Sequence, residues 1–303
     1  MNLNQLKLFY FTAKFQSPSI AARYLFISQP AVTTGIQRFE NHYNVKLFKR
    51  EGRTLSLTAA GQALYEHAEQ LFDKELMAEA CIQNFQNHGE KNIRILSSET
   101  FGAYYLPTLI NDFYQSNPDT HITLDIMLTD QVIENTLNRE NDIGFISYPV
   151  ENDKLVIKEV FTDRLVIIVR KDHPFAHKKN IKPEALRGQS IISHEESSAI
   201  REALNRFTSN SGIEMVKPVE FTNNEAIKRM VEMGVGMAFI SLEVVRKEIE
   251  RGELIAIPLS DPCIARKFYM IYHKNKYIPK IMQTLFDMTK KWANERNQMM
   301  TEE

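Results

Sequence analysis

The residues with the clearest chemical potential lie near the amino terminus. Ser17 precedes Pro18, and Ser28 stands two residues before Pro30. Each pair joins a hydroxyl that can cap free N–H groups to a ring that fits the first helical turn. The pattern therefore predicts two short helices joined by a turn at Phe26–Ile27.

The second predicted helix has two chemically different faces. Its apolar residues recur at helical spacing, which predicts a buried stripe. They are Ala31, Val32, Ile36 and Phe39. The opposite face carries amides, hydroxyls and a guanidinium, on Gln29, Thr33, Thr34, Gln37 and Arg38. Such groups match the donor and acceptor pairs that base edges present in the major groove of DNA. An ordinary helical hairpin with a polar outer face is the alternative.

A basic segment with a glycine, Phe48–Arg53, follows the two helices and runs into the alternating residues Leu55–Thr58. This order predicts a β-ribbon. A helix-turn-helix joined to a basic ribbon makes a winged helix. In such a domain the helix reads the major groove, and the ribbon touches phosphate or the minor groove.

The segments AARYL, SQPAV, QRFE and LFKREGRTLSLTAAG resemble the amino-terminal signature of the LysR-type transcriptional regulators, over residues 2 to about 65. The resemblance implies a winged helix-turn-helix domain over residues 1–60 that binds double-stranded DNA. It also implies which positions face the DNA: Gln29, Pro30, Thr33 and Arg38 in the helix, and Arg50 and Arg53 in the wing.

Two residues depart from the family pattern. Thr34 stands where an arginine is frequent, so the operator sequence does not transfer from relatives. Gly35 lies inside the recognition helix. An interior glycine costs roughly 1 kcal/mol against alanine, which predicts a softer helix.

The composition places the chain among globular proteins of more than one domain. It has 303 residues, with 43% apolar and 25% charged side chains, a length that suits two or three domains. No apolar run approaches the roughly 20 residues that cross a bilayer, and no export signal is visible. Cys81 and Cys263 are too few for a disulfide framework or a cysteine-rich metal site. We therefore expect a cytoplasmic location, no membrane association and no cofactor.

Charge is distributed unevenly along the chain. Residues 1–60 carry eight basic and two acidic side chains, a net charge of +6, whereas the whole chain has a net charge of −1. A basic amino-terminal segment on an otherwise acidic chain indicates that this segment alone has a polyanionic partner. A solvated basic face without a partner is the alternative.

A long helix is predicted after the wing. The pattern starts at Thr58–Gly61 and reaches about Asn87, so residues 61–90 form a linker helix. Its apolar stripe consists of Ala60, Leu64, Ala68, Leu71 or Phe72, Leu76 and Ala80. A long helix with one apolar stripe is poorly stable alone. We expect its partner to be the same helix of a second subunit in a homodimer or homotetramer. The alternative is that the helix packs on the rest of its own chain. The segment His88–Asn92 breaks the helical pattern and is predicted to be a linker.

From residue 93 onward, strands and helices alternate. Strands are predicted at 93–96, 122–128, 143–146, 165–169, 191–192, 219–221, 237–240 and 266–273, and helices at 102–116, 130–139, 198–208, 224–233 and 278–295. The last helix should bury Ile278, Ile281, Met282, Leu285 and Trp292. This alternation favours a parallel or mixed sheet with helices on both faces.

The segments SSETFGAYYLP, NDIGFIS, RKDHP and EAIKRMVEMGVGMAFIS resemble the effector domain of the same family. The resemblance implies a two-lobed α/β domain of the type 2 periplasmic-binding-protein fold over residues 91–303. Lobe one would take about 92–162 and 268–296, and lobe two about 163–267. It further implies that closure of the lobes on a ligand alters subunit packing and DNA bending.

The candidate ligand residues follow the predicted strands. In open α/β sheets, ligands bind at the carboxyl ends of strands. Hydroxyl and amide side chains stand at those ends: Ser98, Thr100, Thr129, Ser147, Ser198 and Asn224. Hydroxyls and free N–H groups at helix starts form an anion site without requiring a fixed cation. The sequence therefore predicts a small anionic metabolite as inducer. The alternative is that these residues are plain helix caps.

Three features of the sequence could indicate an enzyme. Glu195–Glu196 is a carboxylate pair, His173 is a lone histidine before a proline, and Gly234–Gly236 lacks the later glycine of a dinucleotide loop. None supplies a nucleophile with a base or a metal-ligand spacing, so no enzymatic activity is predicted. A stronger rival class is an exported or tethered solute-binding protein, against which the basic head and the missing signal peptide both weigh.

Overall fold

The computed structural model describes residues 1–51, 54–86, 91–196, 198–209, 212–213, 215–261 and 264–302. The chain divides into two compact units, Met1–His88 and Gly89–Glu303. The boundary falls in the segment predicted to be a linker, of which residues 87–90 lie outside the described residues. Across the described ranges, no helix is long and apolar enough to cross a membrane.

The first unit is helical with one hairpin. Its elements are α1 (Leu3–Phe15), α2 (Pro18–Tyr24), α3 (Gln29–Tyr43), β1 (Phe48–Glu51), β2 (Thr54–Leu57) and α4 (Ala59–Gln86). Both predicted caps are confirmed. Ser17 Oγ accepts a hydrogen bond from the Ile20 N–H at 3.3 Å, and Ser28 Oγ accepts one from the Ala31 N–H at 3.4 Å. The turn between α2 and α3 passes through Phe26, whose φ is 55°.

Helix α3 packs on α1 through its apolar stripe. Val32, Ile36 and Phe39 are buried, whereas Ala31, predicted to join them, is exposed. The interior glycine of α3 has a packing reason. A Cβ at Gly35 would lie 2.3 Å from Leu8 Cδ1 on α1. The glycine therefore allows the two helices to approach closely.

Glu40, on α3, holds the base of the β1–β2 hairpin. Its carboxylate accepts hydrogen bonds from the backbone N–H groups of Leu47 and Phe48 at 2.8 and 3.3 Å and pairs with Lys46 at 2.8 Å. Burial alone would raise the pKa of Glu40, but Lys46 and the two N–H groups lower it below the usual value. Helix α4 starts against the same segment, because a Cβ at Gly61 would lie 2.1 Å from the Leu47 carbonyl oxygen.

Helix α4 uses its apolar stripe in two ways. Ala68 and Phe72 are buried in the core of the first unit. Leu71, Leu76 and Ile82 remain exposed. Ala60, predicted to lie in the stripe, is also exposed, and the side chain of Ala80 lies outside the described residues. Part of the helix thus packs on its own unit, as the alternative held, and part of its apolar surface stays open.

The second unit is built on one mixed sheet. Its strands are β3 (Lys91–Ser97), β4 (Thr120–Ile126), β5 (Ile143–Ile146), β6 (Leu155–Arg170), β7 (Ile191–His194), β8 (Glu220–Phe221), β9 (Met237–Ser241), β10 (Leu254–Pro258) and β11 (Ala265–His273). Its helices are α5 (Leu106–Ser116), preceded by a π-helical turn (Phe101–Tyr105), α6 (Thr129–Leu137), α7 (Ala199–Thr208), α8 (Asn224–Glu232), α9 (Arg246–Glu250) and α10 (Lys280–Glu302). The strand order is β4-β3-β5-β11-β6-β9-β7-β8, with β10 also paired to β6.

The second unit contains two lobes with separate cores. One core is formed around Phe101, Phe145 and Trp292, and the other around Ile167 and Phe239. Two parts of the sheet were not predicted: β6 begins ten residues before the predicted strand, and β10 is an additional strand. In α10, Met282, Leu285 and Trp292 are buried as predicted. Ile278 and Ile281 are only half-buried.

Two antiparallel strands, β6 and β11, carry the chain between the lobes. Their register places Arg266 directly opposite Asp163. The pairing shifts between Phe268 and Tyr269, where Phe268 faces Phe161 and Tyr269 faces Glu159. Such an irregularity is a β-bulge, which bends and twists the strand locally.

Candidate nucleic-acid interface and ligand cleft

The candidate DNA-contacting residues of α3 share one exposed face. They are Gln29, Pro30, Thr33, Thr34, Gln37 and Arg38, and all six are exposed while Val32, Ile36 and Phe39 face the core. The Thr33 hydroxyl donates to the Gln29 carbonyl at 3.2 Å. The helix is therefore held by one side and presents amides, hydroxyls and a guanidinium on the other.

The wing is described in part. Strands β1 and β2 pair antiparallel from Phe48 opposite Leu57 to Glu51 opposite Thr54, as the sequence predicted. Arg50 lies in β1, but its side chain is outside the described residues, and Arg53 lies outside them altogether. The roles of these two arginines therefore stay predictions.

In the second unit, a cleft of about 350 Å³ opens at the carboxyl ends of the strands. It is lined by five of the six predicted ligand residues: Ser98, Thr100, Thr129, Ser147 and Ser198. Thr129 and Ser147 are joined by a hydroxyl hydrogen bond at 3.0 Å. Ser198 caps α7 by accepting from the Ile200 N–H at 3.2 Å. The structure thus brings these distant hydroxyls into one concave site, and Ser198 is also a helix cap, as the alternative held.

Asn224 lies behind the cleft rather than in its lining. It is fully buried, and its side-chain Nδ2 donates to Thr100 Oγ1 at 3.4 Å. Its backbone N–H donates to the Glu99 carboxylate at 3.0 Å. Burial raises the pKa of Glu99, and the hydrogen bonds from Asn224 offset part of that rise. Asn224 can therefore position Thr100 and Glu99.

Three buried polar atoms in the cleft residues lack a hydrogen-bond partner among the described residues. They are Ser98 Oγ, His194 Nε2 and Arg266 Nε. A buried polar group without a partner costs roughly 1–3 kcal/mol. All three atoms belong to residues of the cleft lining, so hydrogen bonding within the described residues leaves this part of the structure incomplete.

Arg266 is the buried cation of the cleft, and the sequence prediction missed it. Its Nη2 pairs with Asp163, which also accepts from the Tyr105 hydroxyl at 2.6 Å and from Ser241 at 2.8 Å. Its Nη1 lies 3.4 Å from Thr100 Oγ1. The predicted hydroxyl site thus contains a fixed cation that Asp163 already balances.

His194 is the second residue missed. Burial and the nearby Arg266 guanidinium lower the pKa of His194 from 6.5 to about 3. The imidazole is therefore neutral at physiological pH, with one ring nitrogen a donor and the other an acceptor. No motif marked it, because it ends a short buried strand and its neighbour Arg266 is distant in the chain.

The rim of the cleft is acidic. Glu99, Asp130 and Glu195 belong to the lining. The Tyr148 hydroxyl donates to Asp130 at 2.5 Å. The three carboxylates are more exposed than the hydroxyls of Ser98 and Thr100, the imidazole of His194 and the guanidinium of Arg266, which are all buried.

The three features that could indicate an enzyme lie in ordinary structural settings. His173 Nδ1 accepts from the Phe175 N–H at 3.1 Å in a turn. Gly234 adopts a φ of +79° ahead of β9, and Glu196 is exposed. Within the described ranges, no group of three or more His, Cys, Asp or Glu side chains could hold a metal ion.

Two family models match the chain. The model described as "Bacterial regulatory helix-turn-helix protein, lysR family" matches residues 3–62, and that described as "LysR substrate binding domain" matches residues 86–294. The first match lies within the unit Met1–His88, and the second covers most of the unit Gly89–Glu303.

Three known proteins illustrate the similarity. The HTH-type transcriptional activator CmpR of Synechocystis sp. is 30% identical over 285 residues, which cover 94% of this chain and 93% of CmpR. The CcmR regulatory domain of Synechocystis PCC6803, solved in complex with 2-PG, is 28% identical with a TM-score of 0.61, covering 67% of this chain and 97% of that domain. A full-length OxyR variant of Pseudomonas aeruginosa is 21% identical with a TM-score of 0.65, covering 96% and 95%. Together with the coordinates, these matches confirm the predicted fold class, a helix-turn-helix domain followed by a two-lobed α/β domain.

Proposed function

This chain belongs to the LysR family of bacterial transcriptional regulators, with a helix-turn-helix DNA-binding domain and an effector-binding domain. From that premise we propose that a small anionic metabolite binds the cleft of the second unit. Its binding changes how the subunits are arranged and how their DNA-binding domains bend the operator. The observation that carries the proposal is the lining of one cleft by five hydroxyl side chains, Ser98, Thr100, Thr129, Ser147 and Ser198, together with the guanidinium of Arg266.

The DNA-facing residues are proposed to divide into two roles. Gln29, Thr33, Thr34 and Gln37 contact base edges, because amides and hydroxyls read donor and acceptor patterns. Arg38, with Arg50 and Arg53 of the wing, contacts phosphate or base, and Pro30 sets the start of the helix. The net charge of +6 over residues 1–60 supports a strong phosphate contribution. This contribution makes binding dependent on salt.

The DNA proposal is tested by a gel shift with the promoter region beside the chain's own gene. We expect binding that weakens steeply between about 50 and 200 mM salt. Gln29→Ala should relax sequence preference, whereas Lys14→Ala, on α1, should change affinity without changing preference. Equal binding to scrambled DNA at every salt concentration would contradict a sequence-reading role for α3.

The cleft residues are proposed to hold the effector at two ends. Ser98, Thr100 and Arg266 meet an oxyanion, because they gather donors around one buried cation. Thr129 and Ser147 donate to the other end of the ligand, and Ser198 adds a hydroxyl at the start of α7. Asn224 acts through Thr100.

The relatives support a small ligand. The CcmR regulatory domain, 28% identical to this chain, is solved in complex with 2-PG. We therefore use 2-PG as a probe, with inorganic phosphate beside it, in calorimetry of the full chain. Ser98→Ala and Thr100→Ala should each weaken binding by about tenfold, as expected for a hydrogen bond to a charged group.

The matched control is Ser260→Ala, a serine that is exposed and outside the cleft lining. It should leave the affinity unchanged. If Ser98→Ala and Thr100→Ala bind 2-PG as tightly as the unaltered protein does, the proposed oxyanion site is wrong. If phosphate alone binds with equal affinity, the cleft recognises the phosphate group rather than the whole metabolite.

Oligomerisation is proposed to run through α4. Leu71, Leu76 and Ile82 are exposed on this 28-residue helix. A second copy of the helix would cover them and would fix the spacing of two DNA-binding domains. The ligand can then affect the DNA-binding domains if it binds one arrangement of the lobes and subunits more tightly than another.

A further inference from the structure

A strongly basic segment connects β6 to β7 in the second unit. Residues 171–187 of this connection carry five basic and two acidic side chains, a net charge of +3, whereas the unit Gly89–Glu303 has a net charge of −3. The basic residues are Lys171, Lys178, Lys179, Lys182 and Arg187, and all five are exposed. We call residues 171–187 the basic loop. It concentrates positive charge on one segment of an otherwise acidic unit.

The charge of the basic loop is not compensated by ion pairs. Within the described ranges, none of its five cations pairs with a carboxylate. Asp172, one of the two acidic residues of the loop, pairs instead with Arg170, the last residue of β6. Glu184 is exposed, as is Asp261 beyond the end of β10. Five cations thus stand beside two exposed carboxylates, and the loop keeps an excess of positive charge.

Buried side chains hold the backbone of the basic loop in place. Ile181 and Leu186 are buried in the core of the second lobe, and Phe175 packs against that core. The Ile181 N–H donates to the Pro258 carbonyl at 2.9 Å, and the Ile181 carbonyl accepts from the Ser260 N–H at 2.8 Å. The lysines are therefore presented by an ordered backbone. Binding has to order their side chains alone, which lowers its entropic cost.

The side chains of the basic loop suit phosphate groups better than bases. Lysine carries a compact, hydrated charge that meets phosphate as a point charge and does not form the two parallel hydrogen bonds of arginine. Phe175 is the single Phe, Tyr or Trp residue of the loop. It is half-buried, and Lys178 Nζ lies 4.7 Å from its ring centroid. Because that ring is already covered, it is no platform for the stacking that single strands require. Duplex DNA, with its dense rows of phosphate, fits these side chains.

The first unit brings duplex DNA to the same complex. Its helix-turn-helix belongs to a family of DNA-binding regulators. Non-specific contacts to DNA are weak, with dissociation constants of about 10⁻⁴–10⁻⁶ M. Once the operator is bound, however, the flanking duplex is tethered to the second unit, and tethering gives effective concentrations in roughly the millimolar range. An acidic protein would have to be recruited from solution, so the flanking DNA is the favoured occupant.

We propose that the basic loop binds the phosphate backbone of the duplex that flanks the operator. Lys178, Lys179 and Lys182 supply most of the contact, which is independent of base sequence because phosphates carry no sequence information. The contact lengthens the protected DNA and steepens the salt dependence of binding. The proposal rests on DNA binding by the first unit, and it requires no ligand in the cleft.

The test compares the unaltered full chain with the triple variant Lys178→Ala, Lys179→Ala, Lys182→Ala. Hydroxyl-radical footprinting on the promoter region beside the chain's own gene should show flanking protection that the variant loses. Two promoter fragments are then compared. One ends at the borders of the region that the variant protects, and the other extends by roughly 20 base pairs, about two helical turns, on each side.

The unaltered protein should bind the longer fragment more tightly than the shorter one, and the triple variant should lose this gain. On the longer fragment, the variant should also lower the slope of log affinity against log salt by roughly 3, since three phosphate contacts are lost. On the shorter fragment the two proteins should bind alike. Circular dichroism checks that the variant is folded.

The matched control is the triple variant Lys274→Ala, Lys280→Ala, Lys290→Ala. It removes the same charge from three exposed lysines of the second unit that lie outside the basic loop. The control should keep both the gain on the longer fragment and the steep slope. Equal losses in the two variants would show that only the total charge matters, and this would overturn the proposal.

Two further results would also overturn it. An unchanged slope and footprint in the folded loop variant would mean that the basic loop serves an acidic protein or faces solvent alone. Weaker binding of the variant to the shorter fragment would mean that the loop acts on the operator contact itself. Failure of the unaltered protein to bind either fragment would refute the DNA binding proposed for the first unit, and this proposal with it.

Discussion

Replacing Asp163 by asparagine tests how the buried ion pair of Asp163 and Arg266 affects the stability of the second unit and its affinity for an anionic ligand. Asp163 is 1% exposed and Arg266 is 6% exposed. Asparagine keeps the size of the side chain and one acceptor oxygen for Tyr105 or Ser241, but it removes the charge. The Arg266 guanidinium then remains buried without its counter-charge.

The loss of stability should be large. Removing one partner of a buried ion pair costs about 3–5 kcal/mol, which lowers the melting temperature of a unit of this size by roughly 6–20 °C. Urea unfolding followed by the emission of Trp292, which is in the same unit, measures the change. Glu159→Gln is the matched control, because Glu159 pairs with Lys267 on the same two strands but both side chains are about half exposed. Its midpoint should move far less.

The affinity for an anionic effector should rise in the Asp163→Asn protein, although its stability falls. With an anion about 10 Å from Asp163 and an effective dielectric constant of about 20, the repulsion removed is about 1.7 kcal/mol, or roughly 15-fold in affinity. Calorimetry with 2-PG measures it. Weaker binding of 2-PG by the folded Asp163→Asn protein would refute the reasoning that Asp163 competes with the ligand for Arg266.

Three further perturbations have signed outcomes. Gly61→Ala should destabilise the first unit by roughly 1–3 kcal/mol, because its Cβ would meet a backbone carbonyl. Gly35→Ala should cost less, since its Cβ would meet the end of a side chain that can rotate. Thermal unfolding followed by circular dichroism compares the two variants. The pKa of His194 is lowered from 6.5 to about 3, so the unfolded chain binds the proton first and stability falls as pH drops through 6.5 toward 3; His194→Gln should flatten that dependence in urea titrations at several pH values. Leu76→Asp should shift the oligomer toward monomer in light scattering, whereas Lys74→Ala, at another exposed position of α4, should leave it unchanged.

Local patterns in the sequence predicted the first unit well. Ser17 and Ser28 cap their helices, and the polar face of α3 is exposed. Both follow from helical spacing and capping chemistry, which need only neighbouring residues. Local propensity predicts only that Gly35 softens the helix, because the close approach of Leu8 on another helix, which explains the glycine, is not a local property.

The cleft of the second unit was predicted in part, again from local patterns. Hydroxyls at strand ends could be recognised from the rule for open α/β sheets, and five of the six candidates line the cleft. Arg266 and His194 could not be recognised, because their partners lie far along the chain and are brought near by strand pairing alone. The first part of β6 was missed because its polar residues, such as Lys158 and Glu159, gave no apolar run.

The paired strands β6 and β11 determine what kind of signal the second unit can send. A ladder of backbone hydrogen bonds, with Asp163 opposite Arg266, resists both stretching and sliding of one strand along the other. The register shift beside Phe268 interrupts this ladder and bends the strand locally. We therefore expect the lobes to rotate about this ribbon more readily than they slide along it. Distance measurements between labelled lobes, with and without an effector, should then report a change of angle at nearly constant separation across the ribbon.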